Sequence, residues 1–211
     1  TAQEGDFTIA NNATNLTGAG IEVVGTGEFY VGDPSVITTF DAGVGVTSGY
    51  PKTITKSSAG RLDFGSLVIT ASANNEVTTA SDFKITATGA GAFNNAGAGG
   101  KFTATAGTIT FTAAAPQIAS VSPAVTQFYS LKTLGSTALT FPNALQEIMI
   151  AGNITIDGTS SIAQSVNVNN KIIFNGSTNQ TISGTSTALT PIAFNDIVIN
   201  KANNSELLLG I

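Results

Sequence analysis

Asp33, Asp41, Arg61 and Asp63 are the only residues in this chain at which acids and a guanidinium lie close in sequence. Such a group could bind or cleave a polysaccharide. Glycoside hydrolysis needs two carboxylates facing each other across the scissile bond, and a lyase commonly needs several cations around an acidic sugar. Here Asp33 and Asp41 flank the apolar run from Val36 to Phe40, and Arg61 is the one arginine among 211 residues. Turn aspartates and a surface pair are the simpler reading.

Other chemistries have less to stand on. The chain has no His and no Cys, which removes imidazole bases, thiolates, disulfides and most zinc or copper sites. No run of acids has the alternating spacing of a calcium loop, so neither a metal nor a cofactor is expected. Asp157-Gly158 and Asn175-Gly176 read as hairpin or corner signals. Gly25-Thr26-Gly27 lacks the later Gly and the helix of a dinucleotide loop. Thr53/Thr55, Thr86/Thr88, Thr103/Thr105, Thr108/Thr110/Thr112 and Thr185/Thr187 raise ice binding, because alternation puts each pair on one strand face. Their irregular offsets favour ordinary β-surface threonine. Trp is absent and Tyr occurs only at Tyr30, Tyr50 and Tyr129, too few for a sugar-stacking platform.

The elements that would carry any of these residues are written in a repeat. Asp6-Phe7-Thr8-Ile9, Ser66-Leu67-Val68-Ile69, Ser130-Leu131-Lys132-Thr133 and Asp196-Ile197-Val198-Ile199 are versions of one phrase, at spacings of 60, 64 and 66 residues. The later three copies follow Phe64, Phe128 and Phe194. Asn pairs at Asn11-Asn12, Asn74-Asn75 and Asn203-Asn204 mark turns. Each lap then holds at least three more short strands with period-two apolar positions, among them Phe83–Ile85, Thr108–Phe111, Lys171–Phe174 and Gln180–Ser183. No segment shows helical spacing. The stretch from Gly89 to Gly100 has too little bulk for a core strand and reads as a loop.

Repeats of this length in β-branched residues predict an all-β, right-handed parallel β-helix of about three coils per lap, with each coil about 20 to 22 residues long. The whole chain forms one array, with laps at 7–66, 67–130 and 131–196 and a fourth opening at 197–211. Tandem small β-sandwiches are the alternative, but a sandwich usually needs near 100 residues. In the β-helix, Leu67, Leu131 and Ile197 should stack in one file, and corner Asn residues should form amide ladders.

Charged residues make up 10% of the chain and apolar residues 42%. Thr, Ser and Asn must therefore wet the surface. A net charge of −5 with scattered lysines offers no stripe for nucleic acid. No run of eighteen apolar residues is present to insert in a membrane as a helix. This composition is typical of exported surface proteins, and Thr1 in place of Met fits a processed terminus.

From Leu62 onward, Phe174-Asn175-Gly176, Asn179-Gln180-Thr181-Ile182-Ser183-Gly184 and Phe194-Asn195-Asp196-Ile197-Val198-Ile199-Asn200-Lys201 resemble the large repetitive cell-surface proteins of gliding and related Bacteroidota. Those proteins are exported by the type IX system and include gliding adhesins. The resemblance implies an exported, elongated surface or filament protein and carries no catalytic residue.

The expectation is thus a non-enzymatic extracellular filament, stalk or adhesin segment, with a carbohydrate-binding or polysaccharide-degrading β-helix as the competing class. The expected partner is a second copy stacked end to end, or a continuation of the chain. Phe7 and Ile9 at one end and Leu207, Leu208, Leu209 and Ile211 at the other are the candidate self-assembly residues. Surface polysaccharide is a further candidate partner.

Overall fold

The computed structural model describes the strands between residues 7 and 69. From residue 76 to 210 it describes all residues except 96–99, 122–123, 143–145, 166–168 and 203. Among these residues every regular element is a strand.

The first coil is β1 (Phe7–Ile9), β2 (Thr14–Leu16) and β3 (Ile21–Val23), and the second is β4 (Gly27–Val31), β5 (Ile37–Phe40) and β6 (Val44–Val46). The pattern continues with β7 (Pro51–Lys56), β8 (Arg61–Phe64) and β9 (Leu67–Ile69), then β10 (Glu76–Thr79), β11 (Phe83–Ile85) and β12 (Gly89–Asn95). The middle coils are β13 (Lys101–Ala104), β14 (Thr108–Phe111) and β15 (Pro116–Ser120), followed by β16 (Val125–Phe128), β17 (Ser130–Thr133) and β18 (Ala138–Phe141). Next come β19 (Glu147–Ile150), β20 (Ile154–Ile156) and β21 (Ser161–Gln164), then β22 (Lys171–Phe174), β23 (Gln180–Ser183) and β24 (Ile192–Ala193). A last partial coil holds β25 (Ile197–Ile199) and β26 (Leu207–Gly210).

Every third strand pairs in parallel, so the chain is a β-solenoid with nine strands in the first sheet, nine in the second and eight in the third. On the first sheet, partners lie 22 residues apart at Phe7 and Phe29 and 25 apart at Pro51 and Glu76. On the third, Ile162 and Ile192 are 30 apart. Strand lengths stay short while the corners absorb the extra residues, because a corner can lengthen without disturbing the ladder.

The period-two pattern determines which side chains enter the core. In β14, Ile109 and Phe111 are buried while Thr108 and Thr110 are half-buried on the outside. Register then stacks like on like: Phe83, Ile109, Leu131, Ile154 and Ile182 form one buried file on the second sheet. Phe93, Phe102 and Phe128 fill the core between the first and third sheets, with ring centroids 4.9 to 5.4 Å apart. Dispersion and removal of apolar area from water hold these files together.

Three sequence expectations need correction. The Gly89–Gly100 stretch contains β12, whose Ala92, Phe93 and Asn95 are fully buried. The ladder shifts register between Gly89 and Phe93, and one Phe supplies the bulk that its neighbours lack. The repeated phrase does not stack in one file. Successive copies are β1, β9, β17 and β25, eight strands apart, which is one short of three coils, so they fall on the first, third, second and first sheets in turn. Leu67, Leu131 and Ile197 therefore stand on different sheets, the first two buried in the core and Ile197 exposed beside Ile172.

The corner amides also behave differently from the expected ladders. The Asn95 side-chain amide donates to the Val125 carbonyl at 2.8 Å and to Thr126 Oγ1 at 2.9 Å. Gln180 Nε2 donates to the Ile150 carbonyl at 2.9 Å and to that of Gly152, while its Oε1 accepts from the Gly176 N–H at 2.9 Å. Buried amides thus bond backbone groups at strand ends and corners of the neighbouring coils. Asp157-Gly158 is a corner between β20 on the second sheet and β21 on the third, with Gly158 at φ +75°, and no hairpin forms there.

Candidate self-assembly surface at the open end

The side chains with chemical potential are spread over the faces. Asp33 and Asp41 lie outside the described residues. Arg61 and Asp63 stand two positions apart on β8, where the ladder sets Asp63 beside Thr39 and Lys84. The Thr pairs also separate: Thr53 and Thr103 belong to the first sheet, Thr108 and Thr110 to the second, and Thr185/Thr187 to the corner after β23. Among the described residues no group of three or more acids or other ligands is placed to hold a metal ion. None of the described residues forms a helix long and apolar enough to cross a membrane.

Among the described residues, two ion pairs bridge neighbouring coils on the outside. Lys132 Nζ lies 2.7 Å from Asp157 Oδ2, and Lys171 Nζ lies 3.4 Å from Glu147 Oε1. The bond from Lys132, aided by the Thr185 N–H, holds the Asp157 carboxyl below the ordinary carboxylate value. Asp157 also acts as a backbone mimic, since its Oδ1 accepts from the Thr185 N–H at 3.0 Å. Asp82 does the same for the Thr108 N–H at 2.6 Å, Asn153 for Thr181 at 2.8 Å and Asn179 for Glu206 at 2.9 Å. These short acceptors extend the ladder past the strand ends.

The C-terminal end carries an apolar surface. β24 pairs with β21, β25 with β22 and β26 with β23, and among the described residues no strand pairs with their other edges. Ile197, Ile199 and Leu209 continue the inward files of Ile172, Phe174 and Ile182, yet all three are exposed. Ile197 and Leu209 line a recess of about 480 Å³ together with Ile182, Ile192, Phe194 and Leu207. Among the described residues, no strand bonds the backbone N–H and C=O groups along this edge. Such an edge is a template for another strand.

Of the expected assembly residues, Leu207 and Leu209 line this recess. Leu208 alternates to the outer side of β26 beside Thr181. Phe7 and Ile9 belong to β1 on the first sheet, at the other end of the stack. Ile211 lies outside the described residues. Sequence reasoning missed Ile192, Phe194, Ile197 and Ile199 as part of the same surface. Their position in the phrase was visible, but their lack of a covering coil was not. Lys201, in the corner between β25 and β26, donates to Gln180 Oε1 at 2.7 Å and to the Thr178 carbonyl at 2.7 Å. Partial desolvation lowers its pKa from the usual lysine value.

Comparison with protein-family models, curated proteins and solved structures finds no match to this chain. Its class is therefore defined by the fold alone, a parallel β-solenoid of repeated coils.

Proposed function

We propose that this chain is a non-enzymatic, length-bearing segment of an extracellular filament, stalk or adhesin, joined to its neighbours end to end. The observation that carries the reading is the parallel ladder, which runs along three sheets from β1, β2 and β3 to β25, β26 and β24. Nearest-neighbour stacking makes such a body stiff along its axis and extensible by adding coils. Low charge and outward Thr and Ser give repeated weak contacts to a surface, so attachment would be multivalent.

Pulling the chain by its ends in a force instrument tests the load-bearing role. The expected record is a series of small steps, each releasing about one coil. A single low-force collapse would remove the role. Antibody labelling of intact source cells tests the location, with surface staining expected.

A contact with surface polysaccharide is the second reading, favoured by the adjacent register of Asp63 and Lys84 with Arg61 on the same sheet. Glycan binding that disappears in Arg61→Ala would support it.

A further inference from the structure

Asn175 is the one asparagine of the chain that is followed by glycine. In such a pair the glycine backbone nitrogen, which no side chain shields, can attack the side-chain carbonyl carbon of the asparagine. The bond from that nitrogen to Cγ forms, the Cγ–Nδ2 bond breaks, and ammonia leaves behind a cyclic succinimide. Water then opens the ring to aspartate or isoaspartate, and nothing else is consumed.

Cyclisation requires Gly176 N to give up its proton and turn toward Asn175 Cγ. One hydrogen bond opposes both. The buried Gly176 N–H donates to Gln180 Oε1 at 2.9 Å, and Gln180 is buried as well. That acceptor is itself pinned, because Gln180 Nε2 donates to the Ile150 and Gly152 carbonyls while Lys201 Nζ donates to Oε1 at 2.7 Å. Lys201 Nζ also reaches the Gly176 carbonyl at 3.2 Å, so Gly176 is held at both its N–H and its C=O. The Asn175 side chain is held far less. Its Nδ2 lies 3.4 Å from Gln127 Oε1, and its buried Oδ1 has no hydrogen-bond partner. The restraint falls on the nucleophile.

Either product would damage this corner. A Cβ on Gly176 would overlap the Ala151 carbonyl oxygen of the neighbouring coil, so the extra backbone methylene of isoaspartate has no room. Aspartate would put a carboxylate oxygen where Oδ1 is already buried without a partner.

We propose that Asn175-Gly176 is a latent deamidation site and that Gln180 guards it by holding the Gly176 N–H. This role is independent of how the chain joins its neighbours.

Peptide mass spectrometry tests it on the 211-residue chain, incubated folded at mildly alkaline pH beside the same chain unfolded in guanidinium, by following aspartate and isoaspartate at position 175. Because the buried bond must open first, the folded chain should convert about tenfold or more slowly than the unfolded one. Gln180→Leu removes the acceptor and should recover most of that factor. Gln180→Glu keeps an acceptor oxygen for Gly176 but loses the donor to Ile150 and Gly152, and should convert as slowly as the parent. Equal rates in the folded and unfolded parent would overturn the proposal. Equal acceleration in the two variants would overturn it too, since protection would then follow general stability and not this bond.

Hydrogen exchange on the parent needs no variant to fold. The Gly176 amide should exchange at least about tenfold more slowly than in the unfolded chain. An unprotected Gly176 amide would remove the guard.

Discussion

The coil containing β16, β17 and β18 and the partial coil containing β25 and β26 use the same residue types in the same register, and their side chains meet opposite fates. Leu131 is 0% exposed in the middle of its file, whereas Leu209, three partners further along that file, is 71% exposed. Ile148 and Ile172 are at most 1% exposed on the first sheet, and Ile197, next in the file, is 44% exposed. The difference is one missing neighbour. Burial in a solenoid is conferred by the coil above and the coil below, so an apolar pattern alone does not say which residues form the core.

The largest effect should separate these regions most cleanly. Phe128→Ala opens a cavity beside Phe93 and Phe102, and should cost about 3–5 kcal/mol in chemical denaturation. Ile199→Ala, at the uncovered end, should cost less than about 0.5 kcal/mol. Comparable losses would erase the distinction between the middle coils and the end.

Corners offer the next contrast. A Cβ on Gly158, at φ +75°, would lie 2.6 Å from the Gly135 carbonyl oxygen of the neighbouring coil. Gly135 is also left-handed, at φ +78°, but has open space around it. Gly158→Ala should therefore cost about 2–4 kcal/mol and Gly135→Ala about 1 kcal/mol, read as a difference in thermal midpoint. Equal midpoints would show that contact between stacked corners is unimportant.

Gln180 lies at the boundary between the covered and uncovered coils. Gln180→Leu keeps bulk but leaves the Ile150 and Gly152 carbonyls and the Gly176 N–H without this partner, for an expected loss of about 1–3 kcal/mol. Hydrogen exchange should rise first at the Gly176 amide. No change there would remove the bracing role.

The smallest effect concerns Asp157. Its folded pKa is depressed below 3.8, so the stabilisation is present above that value and disappears as pH falls through the lowered pKa. Partial exposure limits it to under about 1 kcal/mol. Asp157→Asn should flatten this part of the acid titration of stability. An identical acid limb in the variant would show that the Lys132 pair contributes nothing.

Much of the fold was legible because alternation in Lys171–Phe174 or Thr108–Phe111 has one physical meaning, a strand with one side buried. The face on which a strand lies was not legible. Ile, Val, Leu and Phe serve the interior of all three sheets alike, so the repeated phrase carries no mark of the sheet it joins. Glycine and alanine around Phe93 disguised β12, because its one large side chain is buried against Phe102 and Phe128 of the next two coils. The end surface was half visible in the apolar run Leu207–Leu209. Its other half, Ile192 to Ile199, looked like any other coil, and only the absence of a following rung on the described strands distinguishes it.

The eight-strand spacing of the phrase has a consequence for how such a chain could grow. Duplicating one lap would advance everything beyond it by two thirds of a revolution, turning the whole downstream decoration toward a new compass point. Three duplications would bring it back. Length and orientation are therefore geared together, as on a camshaft, and only multiples of three laps lengthen the shaft without re-aiming what it presents.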